Sequence, residues 1–342
     1  MRVGFNPNKD KVQKEFDYYH QVVIPVYIPE LNNYYKDSLE ILKISLESLF
    51  KTIHPKTFLT LVNNGSCNIV VKYLENLLSE KKIHELIHTD KIGKLNAIIK
   101  GIVGHRFKLI TIVDADVMFL NSWQEATYTI FEDFPKAGVV STTPSSRSLF
   151  THTQNIWFDL FFSKRMKFTE VKNSEALKMF ADSVGDEYFY SSIQLKKYLT
   201  IKSKNTYAVV GAGHFMATYR ADIFNELPAL YSEYLLGGNS EAELLDIPVI
   251  KKGYWRLSTL DNYTYHLGNV IEDWMFSDLN NSISTLNEGF KIPNLSPIKQ
   301  NDFLRNFIKN KLFKKLFLRR KFRPFLMKLK GLSKEEIKNY KC

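Results

Sequence analysis

The sequence predicts an α/β fold in which a mostly parallel central sheet is flanked by helices. Short, contiguous apolar runs rich in Val, Ile and Leu alternate with helix-length amphipathic segments through the first third of the chain. Unbroken apolar runs of this kind suit strands buried on both faces. A hydrophobic fraction of 44% over 342 residues is ample for a large core and excludes wholesale disorder.

Taken in order, residues 20–27 (HQVVIPVY) form a first buried strand, closed by Pro25 and Pro29. Residues 37–50 carry Leu39, Leu42, Leu46 and Leu49 at near-helical spacing. Residues 58–62 (FLTLV) are a second strand, and 63–66 (NNGS) have the composition of a turn. Helix 69–80, strand 85–89 and helix 93–103 follow. Residues 108–113 (KLITIV) are the strongest strand and run directly into Asp114-Ala115-Asp116. The second half is less regular. Strands are expected at 138–141 and 207–210, a helix over 174–200, and a tight loop Gly211-Ala212-Gly213-His214 before a strand at 214–219. A loop at 237–240 leads into a helix that opens Glu241-Ala242-Glu243 and closes at Lys252-Gly253-Tyr254.

Cys67 and Cys342 are the only cysteines, too few for a disulfide scaffold, so a reducing compartment is expected. No apolar stretch reaches the ~18 residues of a membrane span, and the first residues lack an apolar signal core. The formal net charge of +11 is concentrated. Between Arg305 and Lys330 stand eleven basic residues and no acidic one, so the rest of the chain is near neutral. A basic nucleic-acid-binding body is thereby excluded, and no nucleic-acid partner is expected. Within that segment Leu304, Phe307, Ile308, Leu312, Leu316 and Phe317 recur at three- and four-residue steps, with Phe313, Phe322 and Phe325 adding aromatics. A basic amphipathic helix over 303–330 reads as a binder of an anionic membrane surface. The alternative is a helix packed on the body with a solvated basic face.

Alternate residues of an extended chain point the same way, so Asp114 and Asp116 are expected to emerge together beyond the end of the strongest strand. Ligands bind there in open α/β sheets. Two neighbouring carboxylates repel unless a cation lies between them, and oxygen ligands facing a diphosphate suit Mg²⁺ or Mn²⁺. Tyr27 offers a ring face for a base, Asn63 and Asn64 offer amides for a base edge, and Lys94 offers a point charge for phosphate.

The ordered set VVIPVY, NNGS, GKLNAIIKG, VDAD, GAGHF, NSEAEL, KKGY and YHLGN resembles the family 2 glycosyltransferases of GT-A fold, especially bacterial surface-polysaccharide enzymes, over residues 20–275. The resemblance implies a nucleotide-sugar donor, a UDP-sugar first among them, a divalent metal (Mn²⁺ or Mg²⁺), inversion at the anomeric carbon, and a cell-surface glycan acceptor, free or lipid-linked. It implies that Asp114, Ala115 and Asp116 form the DxD motif holding metal and donor, that Pro25, Val26, Tyr27, Asn63, Asn64 and Lys94 line the nucleotide pocket, and that His266 adds a metal ligand. The domain reading is a leader (1–19), a nucleotide-sugar-binding half (20–120), an acceptor half (121–275), and a linker with the basic tail (276–342). With the tail, it places the enzyme in the cytoplasm, peripheral on the inner face of the membrane.

One departure stands out. The family's acidic pair, whose Asp is the general base, is here Glu241-Ala242. Glu241 becomes the first choice for the base, Glu243 the second and Asp246 the third. A non-catalytic glycan- or membrane-binding module is the alternative that Ala242 leaves open. Nucleotidyl transfer is disfavoured, because VVIPVYIPELNNYY has no Gly-rich basic loop.

Overall fold

The computed structural model describes residues 3–12, 17–227, 231–282, 291–296 and 303–341. In chain order the first half contains β1 (His20–Val26), α1 (Ser38–Thr52), β2 (Thr57–Asn64), α2 (Asn68–Ser79), β3 (Glu85–Thr89), α3 (Lys94–Ile102) and β4 (Leu109–Val113). There follow β5 (Val117–Phe119), α4 (Trp123–Asp133), β6 (Ala137–Ser141), α5 (Gln154–Asp159), β7 (Met166–Glu170), α6 (Ser174–Ser183), β8 (Lys197–Ser203), β9 (Thr206–Val210) and β10 (Met216–Arg220). After these come α7 (Ile247–Lys251), β11 (Trp255–Ser258), β12 (Thr264–His266) and α8 (Asp273–Asn281).

The main sheet has the order β3-β2-β1-β4-β10-β6-β11-β9-β8-β7. β3, β2, β1 and β4 are mutually parallel, and β6 and β11 pair in parallel. β10, β9 and β7 run against the other strands. The expected fold class holds. β1 shows why its run is apolar throughout. Val22, Ile24 and Val26 pack with Leu42, Leu46 and Leu49 of α1 on one face, while Val23 packs with Leu95 and Ile98 of α3 on the other.

Several element readings change. Asn63 and Asn64 are the last residues of β2, and the turn begins only at Gly65. Residues 174–200 are not one helix. Asn173 caps α6 through a hydrogen bond from the Ala176 N–H, the helix ends at Ser183, and Lys197 already belongs to β8. Residues 114–116 form a turn and not an extension of β4. The short β5, β11 and β12, made by long-range pairing, had no local signal.

A polar chain is buried between β1, β4 and α4. The His54 ring accepts from the Lys56 N–H at Nδ1, so its Nε2–H donates to Tyr128 Oη, 3.1 Å away. Tyr128 Oη meets Nδ1 of the fully buried His20, whose Nε2 lies 2.6 Å from Thr111 Oγ1. Burial holds both imidazoles below the usual histidine range, His54 at about 4.

The basic tail is two helical pieces, not one helix. α9 (Phe303–Phe307) passes through a π-helical turn (Ile308–Phe313) into α10 (Lys314–Phe317). After a break come α11 (Arg323–Leu329), with Pro324 in its first turn, and α12 (Lys334–Asn339). Phe313, Leu318, Leu326 and Met327 enter the core beside α5 and β6. Lys309 is fully buried, with Nζ 2.6 Å from Asp159 Oδ1, and Lys330 Nζ donates to the carbonyls of Leu160, Phe161 and Ser163. The packed-helix alternative therefore describes the inner face. Leu304, Phe307, Leu312, Leu316 and Phe317 remain exposed beside Lys311, Lys315, Arg319 and Arg320. Among the described residues no helix is long and apolar enough to cross a membrane.

Candidate active site

The strand order turns at β1, with β2 on one side and β4 on the other, and a crevice opens beyond their carboxyl ends. It is a cleft of about 610 Å³. Pro25 and Tyr27 reach it from the end of β1, Asn64 from β2, Lys94 from α3, and Asp114, Ala115 and Asp116 from the turn after β4.

The two aspartates have different partners. The Asp114 N–H donates to the Phe215 carbonyl, extending the β4–β10 ladder by one bond. Its carboxylate is held by Lys94, whose Nζ lies 2.7 Å from Oδ1 and also reaches Glu241 Oε1 at 3.2 Å. Burial opposes the charge on Lys94, but Asp114 and then Glu241 outweigh it and keep the ammonium protonated. Asp116 ends the turn, and its carbonyl accepts from the Leu267 N–H. β12 pairs with β5 in the register His266↔Val117, which sets His266 beside Asp116, with Nε2 3.4 Å from Oδ2. Desolvation pushes the Asp116 carboxyl up, His266 opposes this, and Asp114 adds to it.

The chemistry around Asp116 fits a cation. Ser183 Oγ donates to the Phe180 carbonyl, so toward His266 it can only accept, and the ring hydrogen belongs on Nδ1. In the neutral ring Nε2 then presents a lone pair toward Asp116, and only the protonated ring lends Asp116 a positive charge. The other oxygen, Oδ1, is buried with no hydrogen-bond partner among the described residues. A carboxylate with one oxygen unpaired and an imidazole nitrogen beside its other oxygen are donors that suit a hard or borderline divalent ion. Among the described residues no three acidic, histidine or cysteine side chains are already gathered as a cage.

Residues 22–227 match the family model of Glycosyl transferase family 2. The chain belongs to that family. It is a glycosyltransferase. Among solved structures, this family 2 glycosyltransferase is similar to the mannosyltransferase PcManGT from Pyrobaculum calidifontis, in complex with GDP-Man and Mn²⁺. The identity is 12% and the TM-score 0.45, over 91% of this chain and 72% of that one. It is also similar to S. aureus TarS 1–349 in complex with UDP-GlcNAc, at 15% identity and TM-score 0.39, over 91% of this chain and 79% of that one. No curated protein matches the chain.

The glycosyltransferase brings Pro25, Tyr27, Asn64, Lys94, Asp114, Ala115, Asp116 and His266 to one cleft. Val26 does not line it, because its side chain is fully buried between β1 and α1. Asn63 does not line it either, since its amide accepts from the Ser66 N–H and meets His88. Of the three carboxylates considered for the base, Glu241 faces Lys94. Glu243 lies in a separate surface cleft with Tyr231 and Ile247, and Asp246 is buried against Arg256. Residues not anticipated include Lys91, whose ammonium stands 4.8 Å over the Tyr27 ring, and Leu235 and Leu236, which cover the cleft beside Gly93. Gly93 has φ +92°, and a Cβ there would stand 2.8 Å from Leu235 Cα. A glycine before a helix and a polar loop before an acidic turn are the only local traces of that cover.

Proposed function

We propose that this glycosyltransferase transfers a sugar from a nucleoside-diphosphate sugar to a hydroxyl of a cell-surface glycan, free or lipid-linked, with inversion and with a divalent metal bound. The Asp116 carboxylate, with Oδ1 unpaired and Oδ2 3.4 Å from His266 Nε2 beside the cleft, carries the reading. Asp116 and His266 would hold the ion, with Asp114 facing the donor. When bound, Mn²⁺ or Mg²⁺ supplies Lewis-acid stabilisation of the charge on the departing diphosphate.

The chain's own groups divide the remaining work. Tyr27, under the Lys91 ammonium, offers a ring to stack on the base. Lys94 places positive charge between Asp114 and Glu241, where the donor's phosphates meet the reacting sugar. Glu241 takes the proton of the attacking hydroxyl as its oxygen approaches the anomeric carbon from the face opposite the diphosphate. Leu235 and Leu236 give the cleft an apolar wall. The outward apolar and basic stripe of the tail supports docking on an anionic membrane surface from the cytoplasmic side.

A thermal-shift screen of UDP, GDP, CDP and ADP, each with and without Mn²⁺, tests the reading. One diphosphate should stabilise the protein in a Mn²⁺-dependent way. No shift with any diphosphate would overturn it.

A further inference from the structure

We infer that His214, backed by Asp246, is a positioning residue that holds Glu241 and receives the proton Glu241 takes from the acceptor hydroxyl. The inference rests on Glu241 being the general base.

Asp246 is almost wholly buried, and its Oδ1 lies 2.9 Å from His214 Nε2 and 2.9 Å from Arg256 Nη2. Arg256, itself buried on β11, is locked by hydrogen bonds to the Thr151 and Ala212 carbonyls. Burial works against the Asp246 charge, yet Arg256 and then His214 hold its carboxyl below the usual range. An ionised carboxylate only accepts, so the ring hydrogen of His214 sits on Nε2. The free edge of the ring, Nδ1, then faces Glu241 Oε2 at 3.4 Å. The other oxygen of Glu241 is held by Lys94. A lone pair therefore faces a carboxylate, and a proton placed between them joins the two.

Proton and electrons balance without a co-reactant. The acceptor oxygen bonds to the anomeric carbon, and the electrons of the cleaved bond leave with the nucleoside diphosphate. The hydroxyl proton passes to Glu241 and on to Nδ1. The imidazolium so formed lies against Asp246, and its proton goes to water after product release. Among the described residues, the charged groups facing His214 are Glu241, Asp246 and Arg256. His152 stands behind Asp246, with Nε2 3.9 Å from Oδ2.

The test uses the full chain labelled with ¹⁵N-histidine, the His214 signals being assigned by their loss in His214→Gln or, should that variant not fold, His214→Asn. Near neutral pH the ring should carry its hydrogen on Nε2. The Nδ1 signal should move in Glu241→Gln, because Nδ1 faces Glu241 Oε2. A hydrogen on Nδ1, or an Nδ1 signal unmoved by Glu241→Gln, overturns the inference. Transfer or slow hydrolysis of the stabilising nucleotide's sugar form separates the two readings. His214→Gln should lower kcat at least about tenfold and remove the acid limb of its pH profile, with donor KM within twofold. Loss in Glu241→Gln with wild-type rates in His214→Gln would sink the relay alone. Wild-type rates in Glu241→Gln would sink the base, and the relay with it.

Discussion

Lys94 Nζ stands 2.7 Å from Asp114 Oδ1, so the first residue of α3 is tied to the turn after β4 across the floor of the cleft. The same ammonium reaches Glu241, which follows the 237–240 loop. One cation thus joins the turn after β4 to the segment that follows the 237–240 loop. Without it, two partly buried carboxylates would face each other uncompensated.

Asp116→Asn should abolish transfer, by at least about a hundredfold, and remove the Mn²⁺-dependent part of any nucleotide shift. The fold should survive. Desolvation already disfavours the Asp116 charge, so a neutral amide should leave the melting temperature equal or higher. Steady-state rates and a melting curve on one preparation check both halves.

Glu241→Gln should cut kcat by about 10²–10⁴ while nucleotide binding persists. Glu243→Gln should be near wild type, because Glu243 is exposed in a different cleft. The reverse outcome would move the base from Glu241 to Glu243.

Gly93→Ala should weaken the site from outside the chemistry. The Gly93 backbone, φ +92° with ψ 157°, is in a region essentially confined to glycine and costs an alanine about 1–3 kcal/mol, and the new methyl would collide with the Leu235 backbone, which accepts the Lys94 N–H. Donor KM should rise more than the melting temperature falls, as Leu235 and Leu236 are pushed off the cleft.

Stability should fall on mild acidification. Above about pH 6.5 His20 and His54 are neutral in both folded and unfolded chains. Below it the unfolded chain binds protons that the folded chain refuses, so each histidine costs about 1.4 kcal/mol per pH unit. For His54 the loss levels off near pH 4, where the folded ring also protonates. Urea unfolding at several pH values between 7.5 and 5 should show this slope, and His54→Asn should make it shallower.

Membrane docking is best tested by surface substitution, since deleting 303–330 would strip Phe313, Leu318, Leu326 and Met327 from the core. Phe307→Ser with Leu312→Ser and Leu316→Ser should keep the fold and lose co-flotation with anionic vesicles. Equal recovery of this variant and the wild type with the vesicles would reject the apolar stripe as the contact.

The parallel strands and their helices were legible because each is a local pattern of adequate length. β1, β2 and β4 are contiguous apolar runs, and α1 carries its stripe at helical spacing. The tail's stripe was legible too, but its packing was not. Periodicity marked Leu312 and Leu316, which are exposed, while the buried contacts fell to Phe313, Leu318 and Met327. The 174–200 segment was misread because its last residues belong to β8, which is held as a strand by pairing with β7 and by a hairpin to β9 across Lys204 and Asn205, beyond the end of the segment.

Composition, spacing and charge along the chain were enough to establish a wound α/β sheet, a pair of aspartates after its strongest strand and a cationic tail. They could not say which carboxylate of 241, 243 and 246 meets Lys94, that His266 is set beside Asp116 by the β5–β12 pairing, or that His214 spans Glu241 and Asp246. Those relations join residues up to 150 positions apart. They exist only once the sheet has closed, because packing and register, which no short stretch of sequence encodes, set where each side chain points.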